Sequence, residues 1–151
     1  MSEAPSGSEE PEAAGDGMSA LAEALRAENA AVYAYEFVAG AAGDDDRSEH
    51  GLALASEHKV TRAELRQAIL DREGSPPAVE PTYPLPSGRD GETLDDFAVG
   101  VENTCAHAAL WLAAADDSDL RMTGARLLQE ATLRALEWGG ELDPLPGFEG
   151  G

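Results

Sequence analysis

Four polar side chains that can bind a metal ion or carry a charge lie at the middle of four apolar helical stripes. They are Glu28, His58, Glu102 and Glu130. Because an unpaired buried charge is very costly, each of them needs an opposite charge, a hydrogen-bond partner or a metal ion. Three carboxylates and one imidazole suit a divalent ion such as Fe, Mn or Zn. Cys105 lies one turn beyond Glu102, where it would add a fifth, soft ligand.

The same residues have a second interpretation that needs no metal ion. The carboxylates can pair with His58 and with arginines on or beside the stripes, namely Arg62, Arg66 and Arg134. A buried polar network of this kind can set the register of packed helices without doing chemistry. The residues leave both interpretations open, as well as a small-molecule or other site, and they also leave open whether the protein is an enzyme.

Helical periodicity is clearest between residues 21 and 40, where side chains suited to a core alternate in steps of four and three. The members of this stripe are Leu21, Leu25, Glu28, Val32, Tyr35 and Ala39. Three later segments show a similar stripe. We therefore predict helices over residues 19–41, 48–72, 93–115 and 119–138.

The segment over residues 73–91 contains prolines and glycines that forbid a regular helix. Helices of about 22 residues are roughly 33 Å long, whereas about 17 extended residues reach roughly 55 Å. This connector can therefore run the full length of a bundle, while the short turns at 42–47 and 116–119 require antiparallel neighbours. We predict an all-α four-helix bundle over residues 19–140, with a long crossover connection between helices 2 and 3. Carboxylate-rich bundles with such a connection have the ferritin-like architecture.

The two ends of the chain differ from the middle in composition. Residues 1–18 are acidic and rich in Pro, Gly, Ser and Glu. Because they lack the apolar content that would offset the entropy of ordering, we predict a disordered acidic tail. The C-terminal tail over residues 141–151 carries Leu142, Leu145 and Phe148, which can fold back on the bundle.

The chain of 151 residues has 30 acidic residues against 10 lysines and arginines, a formal charge of −20. Such a surface repels nucleic acid and anionic membranes and favours cations and basic partners. No run approaches the roughly 20 apolar residues of a membrane span, and the first residues lack the regions of a signal peptide. We expect a cytoplasmic protein that forms a homodimer or binds a protein partner through its long apolar faces. The single Cys105 excludes an internal disulfide.

Several segments also resemble a known family. They are AENAAVYAYEFV at 27–38, ASEHKVTRAEL at 55–65, PTYPLP at 81–86, VENTCAHA at 101–108, LQEATLRALEW at 128–138 and PLPG at 144–147. With them the chain resembles the ferritin-like domain family of unknown function found mainly in actinobacteria. The resemblance covers residues 20–148 and implies a ferritin-like four-helix bundle without an established activity.

The ferritin-like resemblance invites a comparison with di-iron proteins, which use one Glu on each of two helices and Glu-x-x-His on each of the other two. Glu28 and Glu102 match the lone Glu positions. Helix 2 has Ala55 where the pattern needs a Glu before His58, and helix 4 has Leu133 where the pattern needs a His. Because the full ligand set is absent, we expect a non-catalytic or binding bundle with a buried Glu/His/Arg network. The alternative is a metal-binding protein or an oxidoreductase that uses the interior carboxylate and histidine site.

Overall fold

The computed structural model of the chain describes residues 9–141, which form four α-helices joined by two short turns and one long connector. The helices are α1 (Glu9–Ala41), α2 (Asp45–Asp71), α3 (Gly91–Ala113) and α4 (Ser118–Glu137). Over this range there is no strand, and no helix is long and apolar enough to cross a membrane. The predicted all-α four-helix bundle is confirmed. The first part of the predicted acidic tail and the C-terminal tail beyond residue 141 lie outside the described residues.

The first helix begins at Glu9, ten residues before the predicted start at residue 19. Residues 9–18, which we expected to belong to a disordered tail, are therefore part of α1. Glutamate and alanine, which favour helix, dominate this stretch. Its one proline, Pro11, lies in the first turn, where the missing N–H costs no helical hydrogen bond. The composition that indicates disorder is thus also compatible with a helical extension.

An aspartate caps the N-terminus of each of the three later helices. Asp44, Asp90 and Asp117 each accept hydrogen bonds from backbone N–H groups of the first turn that follows. This is the ordinary role of an N-cap residue, because the first N–H groups of a helix have no partner within the helix. Arg47 then links the first turns of α2 and α3, since its guanidinium donates to both carboxylate oxygens of Asp95 at 2.8 Å.

The connector between α2 and α3 crosses the bundle from one end to the other. Near its start, Gly74 lies against Met18 of α1, and at its end Gly91 lies against Arg47 of α2. Helices α2 and α3 therefore begin at the same end of the bundle and run parallel, whereas each of them is antiparallel to α1. This arrangement is the long crossover predicted from the length of the connector.

The apolar core forms two clusters with a polar layer between them. The larger cluster includes Leu21, Leu25, Leu65, Leu112 and Leu127. The smaller cluster, at the opposite end of the helices, includes Tyr35, Val38, Leu54, Leu94 and Trp138. The polar layer consists of Glu28, His58, Glu102 and Arg134, all of them buried. Each helix thus contributes one charged or chargeable side chain to the same height of the bundle.

Helices α3 and α4 approach so closely at Gly124 that a Cβ atom there would lie 2.3 Å from the backbone nitrogen of Ala113. We predict that Gly124→Ala lowers the free energy of unfolding by about 1–3 kcal/mol, because the two backbones must move apart. Gly100→Ala is the control, since a Cβ at Gly100 meets no atom within 4 Å. Because alanine has a higher helix propensity than glycine, Gly100→Ala should raise the free energy of unfolding by about 0.5–1 kcal/mol. Urea unfolding measures both variants, and equal effects would contradict the close approach.

Candidate functional site

The polar layer brings together three of the four residues that the sequence singled out. Glu28 from α1, His58 from α2 and Glu102 from α3 are in direct contact in the interior, and each is at most 4% exposed. They meet because each lies at mid-helix on the buried stripe of its own helix. The arrangement is thus a consequence of antiparallel packing combined with the helical period.

The imidazole of His58 bridges the two buried carboxylates. Its Nδ1 lies 2.5 Å from Oε1 of Glu28, and its Nε2 lies 2.8 Å from Oε2 of Glu102. A neutral imidazole has one N–H, so hydrogen bonds from both nitrogens to ionised carboxylates require the imidazolium form. Burial by itself lowers the pKa of His58, but the bonds to Glu102 and Glu28 outweigh burial and raise the pKa to about 9. At neutral pH His58 therefore carries a positive charge.

Glu102 is the centre of the layer, because three side chains donate hydrogen bonds to it. Besides His58, the hydroxyl of Tyr35 donates to Oε2 at 2.6 Å, and Nε of Arg134 donates to Oε1 at 3.0 Å. Burial alone raises the pKa of Glu102, but the cations of His58 and Arg134 and the Tyr35 hydroxyl together hold it below the usual value. Glu102 is therefore ionised, although its side chain is fully buried.

The charges of the buried layer balance. Two carboxylates, Glu28 and Glu102, face two cations, His58 and Arg134. Arg134 also reaches toward the surface, where its Nη1 lies 3.5 Å from Oε1 of the exposed Glu57. Charges removed from water need this kind of compensation, since a single unpaired ion in the interior costs several kcal/mol.

The structure does not bring Glu130 into the polar layer. This side chain is about 40% exposed and pairs with Arg126, one turn earlier on α4, at 3.3 Å. The residue of α4 that enters the layer is Arg134, which the sequence offered as a charge partner. Glu130 and Arg134 are one turn apart on the same predicted stripe, so periodicity alone does not decide between them. The other two candidate partners, Arg62 and Arg66, make no ion pair within the described residues.

Tyr35 is the site residue that sequence reasoning missed, because its place on the apolar stripe of the first helix predicts only core packing. Its hydroxyl bonds to Glu102, and its ring stacks on the His58 ring at a centroid distance of 5.4 Å. Trp138 stacks on Tyr35 at 5.9 Å, and the half-buried His50 stacks on Trp138 at 4.2 Å. The four rings thus form a stacked column that begins at the His58 ring of the polar layer.

Cys105 lies beside the layer, in the larger apolar cluster. Its Sγ is 3.9 Å from the carbonyl oxygen of Ala27, and burial raises the pKa of the thiol well above its usual value. Ligand atoms of Glu28, His58 and Cys105 all lie within 4.8 Å of one another, so these three residues form a possible metal-binding group. This group shares Glu28 and His58 with the predicted ligand set, while Cys105 takes the place of Glu102 and Glu130.

Comparison with known proteins places the chain in a family. The family model described as "Domain of unknown function (DUF4439)" matches residues 20–150. The chain belongs to this family. The matched DUF4439 region contains all four residues of the polar layer. A search of the curated proteins finds no match.

The DUF4439 chain is also similar to a solved structure, described as that of a conserved hypothetical protein, Rv2844, from Mycobacterium tuberculosis. The two chains are 23% identical, and the TM-score is 0.77. The similarity covers 82% of this chain and 95% of the mycobacterial chain. At this level of identity the comparison shows a common fold.

The raised pKa of His58 makes the free energy of unfolding depend on pH. The pKa is about 9 in the folded protein against 6.5 for an unperturbed histidine, so the stabilisation is complete below about pH 6.5. It is lost as the pH rises through about 9, and its full size is on the order of 3 kcal/mol. We predict this decline in urea unfolding between pH 6 and about pH 9.5.

The matched control for the pH profile is His58→Gln, which has no titrating imidazole and should lack the decline. Both proteins should carry Cys105→Ala, because the raised pKa of the buried thiol contributes a decline of the same sign. A profile with the same slope in both proteins would show that His58 is not held as an imidazolium.

Proposed function

We propose that this protein is a non-catalytic, ferritin-like four-helix bundle that acts by binding, with a buried ion-pair network in the place of a metal centre. The contact between Arg134 and Glu102, 3.0 Å from Nε to Oε1, is the main support. A guanidinium stays protonated in proteins, so it holds a permanent positive charge beside the central carboxylate. A divalent ion at Glu102 would have to compete with that charge.

The ligand count supports the same proposal. A di-iron centre in a bundle of this type takes four Glu and two His side chains from the four helices. In the described residues, the buried layer offers two carboxylates, Glu28 and Glu102, and one imidazole, His58. All of these groups already have hydrogen-bond partners. The chemistry of the donor set therefore fits an ion-pair network better than a dinuclear metal centre.

The surface that we propose for binding is formed by α2 and α4. Large apolar side chains are exposed on both helices: Leu52, Val60, Leu70, Met122, Leu133 and Leu136. Val60 lies one turn from both Glu57 and Glu64, and Leu133 precedes Arg134. These glutamates form ion pairs with arginines of α4, so Val60 and Leu133 flank the line along which the two helices are joined. We infer that this face, the α2–α4 face, binds a second copy of the chain or another protein.

Charge supports the choice of a protein partner. With a formal charge of −20, the chain is unsuited to nucleic acid and to anionic membranes. We also propose a cytoplasmic location. A second copy would have to approach against this charge, whereas a basic partner would be attracted by it, so the two partners differ in their response to salt.

A second candidate function is binding of one divalent metal ion, and the spacing of Glu28, His58 and Cys105 favours it. A carboxylate, an imidazole and a thiolate together suit Zn(II) or Fe(II). Glu102 would then hold the other nitrogen of the His58 ring, as a carboxylate often does behind a metal-binding histidine. Such an ion would supply Lewis-acid or redox chemistry. Because Cys105 and Nδ1 of His58 must lose protons first, binding would strengthen as the pH rises.

Glu28→Ala distinguishes the network from the metal site. For the network we predict a fall of a few kcal/mol in the free energy of unfolding, because a bond to His58 is lost in the interior, and no change in metal content. Elemental analysis after anaerobic incubation with Fe(II), Mn(II) or Zn(II) and desalting measures the metal. For the metal site, the wild type would retain about one ion per chain, and Glu28→Ala and Cys105→Ala would lose it.

The control for this experiment is Glu130→Ala, which removes a half-exposed carboxylate from the same predicted ligand set. We expect its free energy of unfolding to stay within about 0.5 kcal/mol of the wild type, since exposed ion pairs contribute little. If Glu28→Ala were as stable as Glu130→Ala and no protein retained metal, both candidate functions of the buried layer would be wrong.

For the α2–α4 face we predict a dimer whose dissociation constant falls as NaCl is raised, because salt screens the repulsion between two acidic chains. Sedimentation equilibrium at low and high salt measures it. Val60→Asp combined with Leu133→Asp should abolish the dimer and leave urea unfolding of the monomer nearly unchanged. Trp111→Asp, at an exposed position on α3, is the control. A monomer at every salt concentration would exclude self-association. In that case, a basic protein that binds the wild type but not the double variant would identify the partner of this face.

A further inference from the structure

A cavity of about 280 Å³ lies between α1 and α3, beneath Tyr83 and Pro84 of the connector. It is separate from the buried polar layer, and its floor is made by small residues of the two helices: Ala27, Ala30, Ala34 and Gly100. Phe97 adds an aromatic wall. Small-molecule sites in proteins are concave and largely apolar, with a few polar groups, and this cavity has that form.

Gly100 is a feature of this cavity that packing does not explain. It lies in the middle of α3, where a glycine costs about 0.5–1 kcal/mol relative to alanine. A Cβ at this position would meet no atom within 4 Å, so no neighbouring group of the protein requires its absence. A side chain there would instead project into the space beneath the connector. The glycine thus keeps open a space that the described part of the chain does not fill.

Two polar side chains of the cavity, Asp96 and Thr104, can accept hydrogen bonds. Asp96 forms no ion pair with any of residues 17–141, whose side chains the structure describes. The hydroxyl of Thr104 donates to the carbonyl oxygen of Gly100 at 3.0 Å, which leaves its oxygen free to accept. A second hollow of about 460 Å³ shares Pro84, Asp96 and Phe97, so Asp96 stands where the two spaces join. The lining contains no lysine, arginine or histidine, and the whole chain has a formal charge of −20.

The roof of the cavity is held in place by specific contacts. Tyr83 packs edge-on against Tyr33 of α1 at a centroid distance of 5.4 Å, and its hydroxyl accepts a hydrogen bond from the backbone N–H of Glu80. Further along the connector, Arg89 lies over the ring of Phe37 at 5.4 Å. A long loop without secondary structure is uncommon in a compact domain unless it has a function. Covering this cavity is such a function for the connector.

We propose that this cavity binds a small molecule with a flat apolar body and one positively charged nitrogen, an arylalkyl amine in chemical class. The body lies between the Ala and Gly floor and the ring of Tyr83, and the ammonium group lies at Asp96. The shape and the apolar lining of the cavity favour the flat apolar part of the ligand. The carboxylate of Asp96 favours the positive charge on its nitrogen. This site is independent of the function proposed above, because it shares no side chain with the polar layer or with the α2–α4 face.

The test uses the full chain and three probes of nearly equal shape: 1-naphthylmethylamine, 1-naphthalenemethanol and 1-naphthylacetate. Isothermal titration calorimetry measures their affinities. We expect the amine to bind up to about fivefold more tightly than the alcohol, the size of an exposed ion pair, and the anion to bind most weakly. Asp96→Asn should abolish the preference for the amine and leave the affinity for the alcohol unchanged.

Gly100→Leu should fill the cavity and weaken all three probes by roughly tenfold or more, while its helix content stays that of the wild type. Gly40→Leu is the matched control, since a Cβ at Gly40 also meets no atom within 4 Å and this position does not line the cavity. The smaller Gly100→Ala serves if the leucine variant does not fold. Equal binding of amine and alcohol, wild-type binding by the Gly100 variants, or no binding of any probe at about 1 mM would each overturn the proposal.

Discussion

The imidazolium of His58, held between the carboxylates of Glu28 and Glu102, is the interaction on which the interior of this bundle depends. Three helices contribute to it, and His58 links the two buried carboxylates through its two ring nitrogens. The fourth helix completes the balance with Arg134, whose guanidinium offsets the second carboxylate. A buried ion pair is tolerated while both of its charges are present. Removal of one charge leaves the other uncompensated in a medium of low dielectric constant.

This constraint shapes the packing around it. The polar layer separates two apolar clusters, so each helix must place its side chain of the layer at the same height for both clusters to close. The ring of Tyr35 belongs to the smaller cluster while its hydroxyl belongs to the polar layer, and in this way the residue couples the two. Buried polar groups are a known means of setting helix register, and the layer can do so here without any catalytic role.

The chain offers three regions for interaction, and they lie on different parts of the bundle. The polar layer faces inward from all four helices, the α2–α4 face points outward, and the cavity lies between α1 and α3. Residues adjacent in the sequence face different regions. Ala27 and Val101 line the cavity. The residues that follow them, Glu28 and Glu102, belong to the polar layer. The crossover connector makes this division possible, because it covers the groove between α1 and α3 along its length.

The family assignment and the solved relative establish the fold and leave the chemistry to be argued from the site. The DUF4439 model matches residues 20–150, and the likeness to the mycobacterial structure shows a common fold. What this protein does therefore depends on groups that can be named and replaced one at a time. The guanidinium of Arg134 beside Glu102 supports the proposed ion-pair network, and the nearby thiol of Cys105 keeps the metal candidate open to experiment.

The sequence by itself determined the four helices and their buried stripes, because the helical period depends on local geometry. The length of the connector allowed the crossover, and the tertiary structure decided it. It also determined that Glu28, His58 and Glu102 would meet, since each lies at mid-helix on a stripe that must face the core. Only the tertiary structure decided that Arg134, and not Glu130, enters from α4. Two residues one turn apart share a helix face, and the neighbouring helices decide which of them reaches the interior. The sequence did not predict the role of Tyr35 for a related reason. Its ring suits a core, and its hydroxyl acquires a role only when Glu102 of another helix comes within hydrogen-bond distance.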